Sequence, residues 1–479
     1  MKFFLFLAAS TVACAESFPT ATPIKHIILI FQENRTFDHY FGTYPIAQNN
    51  PGETPFYSKK RTPSVNGLTN SLQTNNQNLR QPFRLSPSQV NLGNPLHDYA
   101  TLQLAGDKGL MDMFVQVQFP GPLVDPTVVM GYYDGNTVTA LWNYAQFFSM
   151  SDNYHQSGIG QSAAAAINLI SGNTSGATPL NILDKVVNGT LINDIDPQFD
   201  KCSNPLLTAA LDGINLGNLL NANGITWGFF EGGFANCSAT HDYNGTPIID
   251  YVPHHNPFQY YQSTSNPNHL PPSSPDMIGK TDQANHLYDI SDFWTVMESG
   301  NLPAVSILKA PAFQNGHGGN SNSLLEQTFF VPIINKLQTL PQWKNMAIII
   351  AYDDGGGWYD HEPFPIVNDS QIAQDQYTAP GEVGTHMPLG NLQGRPGYGF
   401  RLPFILISPW AKSNFVDNTL IDQTSVLRFI EDNWFLGRIG NFSYDGFSAP
   451  ITNMFNFKER EMRFLFLSPT TGAIEYKGK

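Results

Sequence analysis

The sequence predicts an α/β fold, with a central, mostly parallel sheet flanked by helices. Three observations carry that expectation. Two short apolar runs, Ile27-Ile28-Leu29-Ile30-Phe31 and Met346-Ala347-Ile348-Ile349-Ile350-Ala351-Tyr352, lack the alternation of a half-exposed strand. They read as strands buried on both faces. Each run stops at a polar cluster, Gln32-Glu33-Asn34 in the first case and Asp353-Asp354 followed by Gly355-Gly356-Gly357 in the second. Strand-like segments then alternate with helix-like ones over most of the 479 residues, the pattern of βαβ construction.

In chain order, the first strand is expected at residues 25–31. Residues 49–94 are rich in Gly, Pro, Asn and Gln without periodicity, and are expected to form long surface loops, a lid or a flap. Helical patterns follow at 97–114 and 137–148, and a strand at 147–154 again ends in polar residues, Asp152, Asn153 and His155. The turn Gly158-Ile159-Gly160-Gln161-Ser162 leads into Ala163-Ala164-Ala165-Ala166-Ile167, a helix start with a hydroxyl at its mouth. Residues 173–290 read as a loop-rich insertion holding one strand at 225–230 and the pair His254-His255. A strand at 304–308 precedes Asn315-Gly316-His317-Gly318-Gly319, and a helix at 323–337 leads to the second acidic strand. A strand at 402–407 and a helix at 424–434, with Val426, Leu427, Ile430 and Trp434 on one face, complete the pattern. No internal repeat, coiled coil or phosphate-binding P-loop is present. The reading is one catalytic domain over 16–479, with insertions around 49–94 and 173–290.

The 25 Lys and Arg against 39 Asp and Glu give a formal charge of −14. That balance disfavours nucleic acid as a partner and gives no attraction to anionic membranes, while zwitterionic lipid stays compatible. Beyond the N-terminus no stretch of about 18 apolar residues occurs, so no integral membrane segment is expected. Lys2, the apolar residues 3–9 and Ala13-Cys14-Ala15 resemble a secretory leader, residues 1–15, cut near Ala15. The expected location is secreted or periplasmic. A lipoprotein reading of Cys14 is weaker, because Thr11 stands where an aliphatic residue is preferred. Cys202 and Cys237 remain, as one disulfide or as two buried thiols. Seven Asn-x-Ser/Thr sequons occur, among them Asn188, Asn236, Asn244 and Asn441.

Ligands of open α/β sheets bind at the carboxyl ends of the strands. Glu33, Asn34, Asp353 and Asp354, brought together there, would repel one another without a cation. Their hard oxygens suit one divalent ion, Mg, Ca or Mn, and tolerate Zn. That makes a metal-dependent hydrolase the first expectation. Ser162 is either an ordinary helix cap or a nucleophile whose alkoxide the helix terminus favours. His97, His254, His255 and His317 are candidates for binding phosphate oxygens or protonating a leaving group, or are solvated loop histidines. Adjacent His254 and His255 in an extended segment would point to opposite sides, so at most one of them would face the metal unless the loop twists. Asp360-His361 and Asp38-His39 read as supports behind the two acidic clusters, or as surface turns.

The run Glu33-Asn34-Arg35-Thr36-Phe37-Asp38-His39-Tyr40-Phe41-Gly42 resembles the opening signature of the phosphoesterase family that joins bacterial phospholipases C and secreted acid phosphatases, within the alkaline-phosphatase-like superfamily. The resemblance continues through Ser151-Asp152-Asn153-Tyr154-His155, His254-His255-Asn256-Pro257-Phe258-Gln259-Tyr260-Tyr261, Gly316-His317-Gly318-Gly319, Tyr352-Asp353-Asp354 and Gly357-Trp358-Tyr359-Asp360-His361. It implies an alkaline-phosphatase-like three-layer sandwich and a metal held at Glu33, Asn34, Asp353 and Asp354. It further implies a phosphoserine intermediate on Ser162, with His97, His254, His255 and His317 around the phosphate. The implied substrate is a phospholipid such as phosphatidylcholine or a phosphomonoester. The sequence departs from the pattern in three places: Gly160-Gln161-Ser162 replaces the usual Gly-Pro-Ser/Thr, Ala163-Ala164 replaces the Thr-Pro that follows, and Asn315 stands where an Asp is common. Two rivals remain, a non-catalytic binding protein on the same fold and a sulfatase-like hydrolase. The second needs a Pro and an Arg that Ser162-Ala163-Ala164-Ala165-Ala166 lacks.

Overall fold

The computed structural model describes residues 19–372, 375 and 384–478; the leader segment and Cys14 lie outside them. Its centre is a nine-stranded sheet. In chain order the strands are β1 His26–Gln32, β2 Ser149–His155, β3 Trp227–Glu231, β4 Leu287–Asp289, β5 Val305–Lys309, β6 Met346–Tyr352, β7 Arg401–Ile407, β8 Phe415–Asp417 and β9 Ile421–Asp422. Their spatial order is β4-β3-β5-β1-β6-β7-β2-β8, with β9 also pairing β2. Only β7 runs antiparallel to its neighbours β6 and β2, so the sheet is mostly parallel, as the sequence implies. Every residue of β6 and β7 is buried, so both faces of the sheet are covered.

The two strands that carry the acidic clusters are neighbours. Gln32 at the end of β1 pairs in parallel register with Tyr352 at the end of β6. Glu33-Asn34 and Asp353-Asp354, 320 residues apart, therefore leave the same edge side by side. On the other flank of β1, Ile30 pairs Leu308, so Lys309 ends β5 at that edge too.

The flanking helices used below are α1 Phe37–Phe41, α2 Thr139–Phe147, α3 Ser162–Ser171, α4 Ile290–Ser299, α5 Ser323–Gln338 and α6 Gln423–Trp434. The alanine run gives α3 the strongest helix-forming residue, and Gly172 closes it in the left-handed conformation, φ 59°. Asp422 and Ser425 form a reciprocal cap on α6, whose Val426, Leu427 and Ile430 are buried and which packs against α3.

Three local expectations need correction. The helical pattern at 97–114 yields a helix only over Tyr99–Gly106, because Asp107 and Lys108 turn left-handed at φ 37° and 59°. The strand expected from 147 begins at Ser149, since Phe147 belongs to α2. The 173–290 insertion is loop-rich as expected, but it holds more than the one strand at 225–230. It holds a three-stranded sheet of Ala177–Thr178, Thr208–Leu211 and Asp196–Pro197, a hairpin of Val186–Val187 with Thr190–Leu191, a second hairpin of Thr240–Tyr243 with Thr246–Ile249, and a helix, Leu216–Ala222. Strands of two to four residues are too short for periodicity to register. Residues 49–94 do form mainly loops, with a short helix at Asn70–Thr74.

Cys202 and Cys237 are joined in a disulfide with a Cα separation of 5.8 Å, which removes the free-thiol alternative. Asn34, formally a sequon, is only 1% exposed, so glycosylation there is excluded on access. Among the described residues no helix is long and apolar enough to cross a membrane.

Candidate active site

Ser162 is the first residue of α3, and Gln161 occupies the cap position, so the ordinary-cap alternative does not describe it. Its Oγ lies 3.2 Å from Glu33 Oε2, 3.2 Å from Asn34 Oδ1 and 3.2 Å from Asp354 Oδ2. The turn before it needs Gly160: a Cβ there would sit 2.7 Å from the Ile192 carbonyl oxygen. On the opposite side, Asn34 adopts φ 53° and its amide N–H donates to Asp353 Oδ1 at 2.8 Å. Gly356, φ +58°, crosses so close that a Cβ would lie 2.6 Å from Asn34 Cβ.

Charge at this edge is crowded. Glu33, Asp353 and Asp354 are all fully buried. Burial, reinforced by Glu33, pushes the Asp353 carboxyl up to about 7. Burial and the neighbouring Asp353 and Glu33 push Asp354 well above the usual carboxylate range. The buried cation among them is Lys309, whose Nζ donates to Glu33 Oε1 and stands 3.8 Å from Asp353 Oδ2. Burial works against its charge, but Glu33 and Asp353 outweigh that and hold its pKa above the ordinary value. The sequence reading missed Lys309; the signal was a charged residue closing a buried strand.

Three oxygens converge on the single hydroxyl of Ser162. One serine proton, even with a second on Asp354, cannot satisfy all three contacts. Asp353 Oδ2 has no hydrogen-bond partner among the described residues. Four hard donors, an excess of negative charge and an orphaned carboxylate oxygen fit a divalent cation, which Glu33, Asn34, Asp353 and Asp354 are suited to hold.

The histidines divide. His97 Nδ1 faces the Pro95 carbonyl at 2.7 Å and so carries the proton; Nε2 then accepts from Asn34 Nδ2 at 3.1 Å. That bond orients the Asn34 amide with its oxygen toward Ser162. His255 Nε2 lies 3.3 Å from Glu33 Oε1, while its buried Nδ1 has no hydrogen-bond partner among the described residues. Burial, then Lys309, holds its pKa well below the usual histidine value. His317 Nδ1–H donates to the Gly318 carbonyl at 2.7 Å, and the ring centroid is 5.9 Å from that of His97. Burial and His97 lower its pKa to about 4. His254 and His255 sit in a tight turn, Pro253–His255, rather than an extended segment, with rings crossed at 86°. His255 alone of the two touches Glu33. His254 lies instead between Asp194 Oδ2 at 3.7 Å and Asp196 Oδ1 at 3.4 Å. Burial opposes its charge, but those two carboxylates raise its pKa.

Asp194 is the second residue that the sequence reading overlooked. Its Oδ1 accepts from the Ala163 N–H at 2.9 Å and its own N–H donates to Gln161 Oε1 at 3.1 Å, so it clamps the start of α3. Nothing in its local sequence marks it.

Behind the edge, a buried polar network ties the segments together. Arg35 donates to the carbonyls of Asn34 and Gly316 and to the Tyr40 hydroxyl. Tyr40 and Tyr352 both donate to Glu326 on α5, as does Gln32 Nε2 at 3.3 Å. Glu326 thus anchors the residues just before Glu33 and Asp353, and through Arg35 the residue before His317. A further cluster joins the two acidic loops: Asp38 accepts from His361 Nδ1 at 2.6 Å, and Arg401 binds both Asp38 and Asp360. Of the expected support pair Asp38-His39, Asp38 joins this cluster, while His39 donates to the Gly131 carbonyl and stacks on Trp358. Asp38, Asp360 and His361 are spaced for a metal, but the Arg401 guanidinium already supplies the cation. The similar group at Cys202, Cys237 and His269 has no thiolate to offer, because its sulfurs are bonded to each other.

Comparison with known proteins bears on this constellation. The model of the Phosphoesterase family matches residues 24–437. A non-hemolytic phospholipase C of Pseudomonas aeruginosa is 24% identical over 422 residues, covering 86% of this chain and 54% of its own length. Phospholipase C A of Mycobacterium tuberculosis is 25% identical over 456 residues, covering 91% of this chain and 78% of its own. The chain thus spans about half the length of the Pseudomonas relative. A solved structure of a protein in the alkaline phosphatase superfamily from Vibrio parahaemolyticus overlays with a TM-score of 0.33 and 8% identity, over 95% of this chain and 76% of that one.

Proposed function

The chain belongs to the Phosphoesterase family, and from that premise we propose that it is a phosphoric ester hydrolase that cleaves phospholipid headgroup esters through a phosphoserine at Ser162. The observation that carries the reading is the convergence of Glu33, Asn34 and Asp354 on the Ser162 hydroxyl at the mouth of α3. The phospholipid substrate follows the names of the relatives; a phosphomonoester, as the acid-phosphatase resemblance suggests, is the competing outcome of the same assay.

A divalent metal bound by Glu33, Asn34, Asp353 and Asp354 would supply Lewis acidity toward the phosphoryl group and acidify the serine hydroxyl. Lys309 holds the Glu33 carboxylate in place, and His97 holds the Asn34 oxygen toward the site. Ser162 Oγ passes its proton to the Asp354 carboxylate 3.2 Å away and attacks phosphorus, the bond to the leaving oxygen breaks, and that oxygen takes a proton from a histidine. His317 is the better placed donor, because its Nδ1 is anchored on Gly318 and the negative charge of a bound phosphate offsets the burial and the His97 ring that lower its pKa to about 4, so that its Nε2 takes up the proton with the substrate; His255 Nε2 is tied to Glu33. Water then attacks the phosphoserine and returns a proton to the histidine, while Ser162 leaves phosphorus and takes back the proton held by Asp354.

We extend the proposal to export. A leader ending near Ala15, a mature catalytic domain from residue 16 and the Cys202–Cys237 bond together fit an oxidising compartment, secreted or periplasmic.

Ser162→Ala is expected to lower turnover by about three orders of magnitude or more with the fold unchanged. The assay runs phosphatidylcholine and p-nitrophenyl phosphate side by side, and mass spectrometry of quenched protein looks for phosphate on the peptide containing Ser162. Wild-type turnover by the variant overturns the serine mechanism. Turnover that survives complete removal of divalent ions overturns the metal.

A further inference from the structure

Four leucines stand exposed on the 173–212 insertion: Leu180 at 65%, Leu183 at 87%, Leu206 at 92% and Leu207 at 43%. Exposed leucines grouped in this way mark an interaction surface more often than scattered single ones do. They occupy two turns, and the turns share one hollow, lined by Pro179, Ile182, Lys201, Pro205, Leu206 and Leu207.

Both turns are bonded to the strip that clamps the active site. In the first, the Asp184 carbonyl accepts from Asn193 Nδ2 at 2.7 Å and the Lys185 carbonyl from the Ile192 N–H at 2.9 Å. The next residue, Asp194, holds the Ala163 N–H beside Ser162. In the second, the Asn204 N–H donates to Asp196 Oδ2 at 3.1 Å, and Leu207 N–H donates back to the Asn204 carbonyl at 3.1 Å. The other oxygen of Asp196 faces His254, and Thr208, following Leu207, pairs Asp196 across the small sheet. The leucines are therefore mounted on the outside of the segment whose inside touches the nucleophile helix and the tandem histidines.

We propose that this leucine edge docks the enzyme on a zwitterionic phospholipid surface, which brings the bilayer against the segment that carries Asp194 and Asp196. The inference rests on the reading that the scissile ester belongs to a phospholipid. Charge selects the occupant. The chain's formal −14 disfavours an anionic bilayer, and the exposed residues of the two turns are apolar or neutral apart from one Asp184 and one Lys201, a balance that suits headgroups without net charge. Insertion of leucine side chains supplies the apolar burial that an exposed active-site rim alone does not.

The test uses the full chain and the double variant Leu183→Ser with Leu206→Ser, both side chains being exposed. Sedimentation with phosphatidylcholine vesicles is done on the Ser162→Ala background to keep the lipid intact. The leucine substitutions are expected to lower the vesicle partition coefficient at least about tenfold. On the active background, hydrolysis of vesicle lipid falls with it, while turnover of p-nitrophenyl phosphate and of monomeric dihexanoylphosphatidylcholine stays within about twofold of wild type. Unchanged vesicle binding and hydrolysis by the double variant overturn the proposal. So does a dimer that the substitutions dissolve in the absence of vesicle binding. Vesicle binding without cleavage of either phosphatidylcholine supports the docking surface and removes the phospholipid reading. Cleavage of the monomeric lipid without vesicle binding retains that reading and overturns the docking surface.

Discussion

Glu326→Gln isolates the electrostatic cost of the network behind the active site. Glu326 is buried under three donors, yet burial outweighs their help and that of Arg35, and its carboxyl is pushed from 4.5 up to about 7. The sign follows from which state holds the proton. Below about 4.5 both folded and unfolded chains keep it, so nothing is gained or lost. Between 4.5 and about 7 the unfolded chain releases the proton while the folded chain retains it, so stability falls as pH rises. Each factor of ten in proton affinity is worth about 1.4 kcal/mol, which makes the full cost above pH 7 roughly 3 kcal/mol. A glutamine at 326 keeps the shape and an acceptor but cannot ionise. Equilibrium urea unfolding of wild type and variant in metal-free buffer, from pH 4.5 to 8, subtracts every other titrating group common to both. The variant is expected to gain roughly 3 kcal/mol relative to wild type over that span. A difference that stays flat to within about 1 kcal/mol refutes the argument, and a difference of opposite slope means that Arg35 and the tyrosines hold Glu326 ionised.

Lys309→Met removes the buried cation between Glu33 and Asp353, and is expected to cost roughly 3–5 kcal/mol in the same unfolding assay at neutral pH; an unchanged midpoint would remove Lys309 from the site's charge balance. Gly356→Ala places a methyl against Asn34 and strains a left-handed residue, and kcat/KM is expected to fall roughly ten- to hundredfold while circular dichroism is unchanged. Wild-type kcat/KM would mean that Asn34 does not act where the geometry puts it. Reducing Cys202–Cys237, which spans a separation of 35 residues, is expected to lower stability by about 4 kcal/mol, read as a shift in the unfolding midpoint with and without reductant.

The edge that carries Glu33, Asn34, Asp353 and Asp354 was legible because two continuous apolar runs end in acid, a pattern that parallel strands impose at any sequence separation. Ser162 was half-legible: glycine before it and alanines after it announce a helix mouth, but nothing local says that the hydroxyl turns toward carboxylates. Lys309 and Glu326 were hidden in runs that read as ordinary strand and helix, and only the pairing of β5 with β1 and the packing of α5 turn their charges inward. Asp194 and Asp196 were hidden for another reason. Their roles come from two-residue strands and side-chain bonds within the insertion, which have no period to detect. The tandem histidines divide as expected, His255 alone reaching Glu33, but they do so through the tight turn that Pro253 starts and not through an extended backbone.

The central position of β1 has a consequence for synthesis. Its partners on either side are β5 and β6, so Ile27 waits for Val305 and Ala347, 278 and 320 residues further along the chain. At about 5–20 residues per second, the nearer partner leaves the ribosome roughly 15–60 s after β1 does. Throughout that interval Ile27–Phe31 is an unpaired apolar strand, the kind of segment that a holding chaperone binds and that aggregates when left alone. The same delay keeps the nascent polypeptide inert: Glu33 and Asn34 are made first, and the carboxylates that complete their cluster are made only when three quarters of the chain already exists.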